Sequence, residues 1–174
     1  MRKKRNLTAL LLLLAIVAAV ALAFTGCDPD DPEPSDNIIP EGVDKKGIQY
    51  IEALGSFYYS IKQQGNIIKS LEQLVEYTEL FPTEIFSDKY DSSFFENYNL
   101  VIISKQEPNI GIKHKVEKIV LQDYTQLYVR INRINPAGPS GQMATYWFIL
   151  IPVKKDFFNG DEVIVEYRNT YPKR

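Results

Sequence analysis

The first pattern along the chain is an unbroken one: from Leu7 to Phe24 every position is apolar except Thr8. A run without a polar face enters a bilayer as a helix, and at about 1.5 Å per residue it is roughly 27 Å long, near the minimum for a span. Asp28 to Asp36 then carries no residue able to build a core. Beyond it, Gly47–Leu54 reads as a first strand, followed by an apolar patch at Phe57-Tyr58-Tyr59. Asn66-Ile67-Ile68 leads into a helix. Ser70 is its natural N-cap, Gln73 completes a capping box, and Leu71, Leu74, Val75 and Thr78 fall on one face before Pro82 stops it. Asp91 is placed to cap a short second helix carrying Phe94, Phe95 and Tyr98.

From Leu100 onward the spacing is that of strands. Leu100-Val101-Ile102-Ile103 is apolar without alternation and predicts a central strand covered on both faces. Ile112, His114 and Val116 alternate with Lys113, Lys115 and Glu117. The phase slips before Ile119 and Leu121, which predicts a bulge near Glu117-Lys118. Leu127, Val129 and Ile131 alternate with Tyr128, Arg130 and Asn132, and the turn formers Asn135 to Gly141 follow. Tyr146 to Ile151 is apolar on both faces and again central. Asn159-Gly160 marks a turn before a last strand at Val163–Tyr167. The expected fold is mainly β (α+β): a small antiparallel sheet or β-sandwich with one or two short helices. A second sheet or the two helices would cover it, and local apolar density does not choose between them.

The residues around the first apolar run set the expected address. Arg2, Lys3, Lys4 and Arg5 precede it, and such cations favour the cytoplasmic side. Phe24-Thr25-Gly26-Cys27 follows it and resembles the lipobox of bacterial lipoproteins, with Phe24 in place of the usual Leu. That resemblance implies a signal peptide over 1–26, cleavage before Cys27, and a lipid on the Cys27 thiol. Two acyl chains hold a protein on a membrane stably where one is marginal. The remaining expectation is of a tether over 27–45, lipidated at its start, and a globular β-rich domain over 46–174. The tether reading rests on the proline and like charges of Asp28–Asp36, which favour an extended chain of roughly 28 Å at about 3.1 Å per residue. Asp28 directly after the cysteine resembles the inner-membrane retention signal of some double-membraned bacteria.

Charge and cysteine content narrow the partners. The 174 residues carry 20 basic and 22 acidic side chains, and all four charges before Cys27 are positive. Without those four, 16 basic residues stand against 22 acidic ones, a balance of −6. An acidic surface repels phosphate backbones, so a nucleic-acid partner is not expected. Cys27 is the only cysteine, so the domain is expected to have no disulfide and no cysteine metal site.

The stretch Phe94 to Val153 resembles the PrcB family, named for a subunit of a spirochaete surface protease complex. The resemblance rests on Phe94-Phe95 before Leu100–Ile103, on Gly111-Ile112-Lys113-His114-Lys115-Val116, and on Met143-Ala144 leading into an aromatic strand. Glu107-Pro108-Asn109 and Tyr146-Trp147-Phe148 depart from the pattern, where small residues and a Trp-His pair are frequent. The resemblance implies a β-rich accessory domain outside the membrane and carries over no catalytic residue.

The candidate sites are few. His114 is the single histidine, and any Ser-His-Asp or Cys-His set would have to use it. It stands in phase with Ile112 and Val116, so it is expected inside, as a structural histidine hydrogen-bonded in the sheet. The carboxylates at Asp28–Asp36 lie in a tether with no fixed geometry, those at Asp88–Asp91 lack the loop length and ligand periodicity of a calcium loop, and no phosphate loop appears. Tyr58, Tyr59, Tyr124, Tyr128, Tyr146 and Trp147 are the candidate surface aromatics for binding protein or sugar. Pro136 and Gly138, in the loop Asn135–Gly141, are the other candidate contacts. The reading is a membrane-anchored extracytoplasmic lipoprotein, not an enzyme, with no cofactor or metal. It would act as a protein-binding or accessory module for another exported or surface protein. The alternative is a cell-wall or glycan-binding lipoprotein using its surface aromatics.

Overall fold

The computed structural model describes residues 38–54, 65–79, 89–122, 125–138, 141 and 143–172. The expected signal peptide, Cys27, the acidic stretch Asp28–Asp36, and Tyr58, Tyr59 and Tyr124 lie outside the described residues. Among the described residues, seven strands and two short helices are arranged in three layers. Strands β1 (Gln49–Leu54), β2 (Gly65–Ile68), β3 (Tyr98–Glu107) and β6 (Thr145–Lys154) form an antiparallel sheet in the order β1-β6-β3-β2. Strands β4 (Lys113–Gln122), β5 (Gln126–Ile134) and β7 (Glu162–Thr170) form a second sheet in the order β4-β5-β7.

The two apolar runs without alternation, in β3 and β6, are the middle of the first sheet, and both of its faces are covered. On one face Val101, Ile103, Ile149 and Ile151 meet Val116, Ile119, Leu127, Val129 and Ile131 of the second sheet. On the other, Leu100, Ile102, Phe148 and Leu150 meet Leu74 of α1 (Leu71–Thr78) and Phe95 of α2 (Phe94–Asn97). Successive strand side chains point to opposite faces, so a stretch covered on both has no solvent-facing position and shows no alternation. Second sheet and helices are therefore both present, one on each side.

Local signals act where expected. Ser70 Oγ accepts a hydrogen bond from Gln73 N at 3.2 Å, and Gln73 Oε1 accepts from Lys69 N at 2.8 Å. Asp91 Oδ1 accepts from Phe94 N at 2.9 Å just ahead of α2, whose N-cap is Ser93, and Tyr98, expected on this helix, opens β3 instead. The β4–β5 register shifts between Val116 and Lys118, which makes Glu117 the bulged residue.

The turn signal at Asn159-Gly160 does not join β6 and β7 into a hairpin. β7 leaves the first sheet and runs parallel to β5, Leu127 opposite Val163 and Ile131 opposite Tyr167. The chain crosses because Phe158 is buried between the sheets, with its carbonyl held by Asn99 Nδ2 of β3 at 2.9 Å.

Both sides of the sandwich are partly closed. Tyr50 of β1 accepts a hydrogen bond from Val116 N of β4 at 2.9 Å, satisfying an amide at the edge of the second sheet. On the opposite side, a Cβ built on Gly65 of β2 would lie 2.6 Å from Val163 Cβ of β7, so only glycine lets these strands approach.

Candidate functional site

Strand phase decides what lies between the sheets. The positions of β3 that face the second sheet continue from Val101 and Ile103 to Lys105 and Glu107. Those of β5 continue from Ile131 to Arg133, and those of β4 run from Val116 back to His114. At one end of the sandwich the inward positions thus change from aliphatic to ionisable, on three strands at once.

Glu107, His114 and Arg133 meet there. Arg133 Nε donates to both carboxylate oxygens of Glu107 at 2.9 Å, and Nη2 donates to Oε2 at 2.8 Å. His114 Nε2 lies 2.9 Å from Glu107 Oε1. A carboxylate only accepts, so that nitrogen carries the proton. The side chains of His114 and Glu107 are 0% and 1% exposed. Burial pushes the Glu107 carboxyl up, but the hydrogen bonds from His114 and Arg133, with the adjacent charge, more than offset it and hold the group at about 2. Arg133 is held more firmly protonated by its hydrogen bond to Glu107. Trp147 and Tyr167 set their rings edge-on to His114, at 5.1 and 6.1 Å between centroids. Burial, and then the charge of Glu107, raises the Tyr167 hydroxyl well above its ordinary range. Lys105 Nζ lies over the same Tyr167 ring at 4.9 Å.

Arg133 also points the other way. Its Nη1 donates to Asn135 Oδ1 at 2.8 Å and to Asn169 Oδ1 at 3.1 Å. Asn135 opens the proline–glycine loop, and its backbone N–H and Nδ2 both donate to the Thr170 carbonyl, at 2.9 and 3.2 Å. Ile110 N donates to the Gly141 carbonyl at 3.1 Å, so the β3–β4 loop meets the far side of the β5–β6 loop. Gly111 turns the shorter loop with φ +92°, a conformation that favours glycine. One guanidinium therefore joins the end of β3, the start of the long loop and the end of β7.

The structure brings Pro136 and Gly138 to this end, half-buried and exposed. Among the described residues it does not bring the aromatic candidates Tyr146 and Trp147 together on one surface. Tyr146 and Trp147 are 2% and 7% exposed and face opposite layers, Tyr146 with the helices and Trp147 between the sheets. The surface platform expected from these two is thus not formed, because β6 is covered on both sides. Tyr128 is half-buried on the outer face of β5, with its hydroxyl 3.3 Å from Arg130 Nε. His114 is inside as expected, but its partner is a carboxylate rather than the sheet backbone.

Glu107, which stands out in the sequence only as a departure from the PrcB pattern, and Arg133 are the functional residues the sequence did not single out. The signal that would have found them is an ionisable residue in the inward phase near a strand end. Among the described residues no cluster of three His, Cys, Asp or Glu side chains could hold a metal ion, and no helix is long and apolar enough to cross a membrane. Fold and site define a class: a helix-backed β-sandwich presenting loops fastened by a buried ion triad. No family model matches the chain, and no curated protein or solved structure does so either.

Proposed function

We propose that this protein is a membrane-anchored extracytoplasmic lipoprotein whose domain is a non-enzymatic protein-binding or accessory module. The observation that carries the binding role is the bonding of Arg133 to Asn135 at the start of the β5–β6 loop, to Glu107 at the end of β3 and to Asn169 of β7. Loops on a rigid scaffold are where binding residues collect, and preorganised loops lose less entropy on binding. The Glu107 carboxylate favours a structural role over a chemical one. Both of its oxygens are engaged by His114 and Arg133, so it has no lone pair directed at a substrate. The lipobox-like Phe24–Cys27 supports the anchor, and the PrcB-like segments support an accessory role.

The loop makes the test direct. Gly138 is exposed, and a Cβ there meets nothing within 4 Å, so Gly138→Glu leaves the fold alone. After crosslinking on intact cells, the native chain is expected to recover a partner that Gly138→Glu loses at unchanged thermal stability. Equal recovery by both, or recovery of the chain alone, overturns the binding role. Cys27→Ala tests the anchor separately: the chain is expected to leave the membrane fraction, and retention there removes the lipoprotein reading.

A further inference from the structure

Strand phase also sorts the charges of the second sheet. His114, Val116 and Ile119 of β4 are buried on its inner side, so Lys113, Lys115 and Lys118 lie on its outer face. They stand opposite Ile134, Asn132 and Arg130 of β5, and Asn132 and Arg130 stand opposite Arg168 and Glu166 of β7. One part of the outer face thus gathers five cations. The carboxylates on or beside that face are Glu166, which pairs with Arg130 at 3.2 Å, Glu117 at the bulge and, at the far end, Glu162, which accepts from Gln126 Nε2 at 2.6 Å. Five cations against those three carboxylates leave +2, on a chain whose balance after Cys27 is −6. Among the described residues no carboxylate pairs with Lys113, Lys115 or Lys118. Between the cations and Glu162, the residues Val120, Tyr128 and Ile164 lie side by side across the three strands.

We infer that this outer face rests on anionic lipid headgroups of the membrane that holds Cys27. The inference rests on the lipid-anchor part of the reading above and names the surface that the domain meets. Charge complementarity selects an anionic occupant, since the cations concentrate on one face of an otherwise acidic chain and three of them have no carboxylate partner. Chain length selects the lipid. The Ile38 carbonyl accepts from Ile119 N at 2.9 Å, and Ile38 bridges Lys118, so the chain from Cys27 joins the domain at the rim of this face. The step from residue 27 to residue 38 is eleven residues, and fully extended it spans at most roughly 40 Å. A face tethered that closely meets the headgroups at an effective concentration set by the tether rather than by abundance. The row Val120, Tyr128 and Ile164 suits the same boundary, because a tyrosine ring with aliphatic neighbours can sit at headgroup depth with its hydroxyl in the polar layer. Within a screening length of an anionic surface it is the local charge of the face, not the net charge of the chain, that the lipid meets.

The test uses the full lipidated chain in vesicles that carry headgroup-spin-labelled lipid as a quencher. With Cys27 acylated the chain has no other thiol, so Ile164→Cys on this face or Val75→Cys on α1 takes a fluorophore at one place. Both positions are exposed, at 36% and 51%. The vesicles are equal parts phosphatidylglycerol and phosphatidylcholine, at about 0.05 M salt. There the Ile164→Cys label is expected to be quenched and the Val75→Cys label not. The quenching should be lost in vesicles of phosphatidylcholine alone, and lost at about 1 M salt, where the screening length is roughly 3 Å. Lys113→Gln, Lys115→Gln and Lys118→Gln made together should abolish it at unchanged thermal stability. Quenching of both labels, of neither, or of the Ile164→Cys label irrespective of lipid charge, salt or the three lysines overturns the inference. So does quenching that appears only after the carboxylates of Asp28–Asp36 are changed to amides, which assigns the face to that stretch. Mass spectrometry of the purified chain separates the two failures. A Cys27 without lipid removes the anchor reading and the inference with it, whereas a lipidated chain with no quenching removes this face alone.

Discussion

Glu107, the last residue of β3, and Arg133, next to last in β5, join the two sheets through three N–H···O contacts of 2.8 to 2.9 Å. The carboxylate lies out of water and the guanidinium nearly so, with 1% and 18% side-chain exposure. Taking one partner from such a pair leaves the other desolvated and unpaired.

Glu107→Gln is therefore expected to destabilise the domain by about 3 kcal/mol, lowering the melting temperature by roughly 10 °C. Glu166→Gln breaks the surface pair with Arg130, where the side chains are 49% and 28% exposed, and is expected to cost less than about 0.5 kcal/mol. Thermal melts of both variants check this; equal losses would mean that burial of the first pair does not matter.

Acid should act through the same carboxylate. Its value falls from an ordinary 4.5 to about 2 on folding. A lowered value in the folded state means that the unfolded chain takes up the proton first. The contribution of Glu107 is then fully present above about pH 4.5 and is lost as pH falls toward about 2, on the order of 3 kcal/mol in all. Denaturant titrations across that window should show stability falling more steeply in the native chain than in Glu107→Gln. Parallel slopes would assign the acid sensitivity elsewhere.

Gly65 and Val163 make a second cross-sheet contact. Gly65→Ala places its Cβ 2.6 Å from Val163 Cβ and Cγ1, and is expected to cost about 1–3 kcal/mol. Adding Val163→Ala should recover part of that loss. A double-mutant cycle measures the coupling, and simple additivity would show that the strands separate without strain.

Tyr50→Phe removes the acceptor of the Val116 amide beside the β4 bulge. A cost of about 1 kcal/mol is expected. Amide exchange measured residue by residue should quicken at Val116 before it does at Val129 in the middle strand. Unchanged protection at Val116 would mean that this amide finds another acceptor.

Much of the fold was legible because burial leaves a period in the chain. The absence of alternation in Leu100–Ile103 and Tyr146–Ile151 reported two covered faces, and the slip after Val116 reported the bulge. Ser70 and Asp91 revealed themselves by their distance to the turn they cap. Pairing between distant segments leaves no such trace. Asn159-Gly160 has the composition of a hairpin turn, yet the burial of Phe158 sends β7 across to β5. The candidate site was hidden for a related reason. Glu107 and Arg133 are 26 residues apart, and each taken alone reads as a polar residue at a strand end. The surface role expected for Tyr146 and Trp147 weighed their chemistry above the double coverage that the same stretch already implied.

The parallel strand has a consequence for how the molecule is assembled. β4 and β5 are neighbours in the chain and can pair as soon as both exist. The other side of β5 is filled by β7, which follows β6 and the crossing at Phe158. Until that strand arrives, a nine-residue ladder from Gln126 to Ile134 offers unpaired amides and carbonyls to any extended chain nearby. Self-association through this open edge is therefore the hazard of the interval before β7 docks.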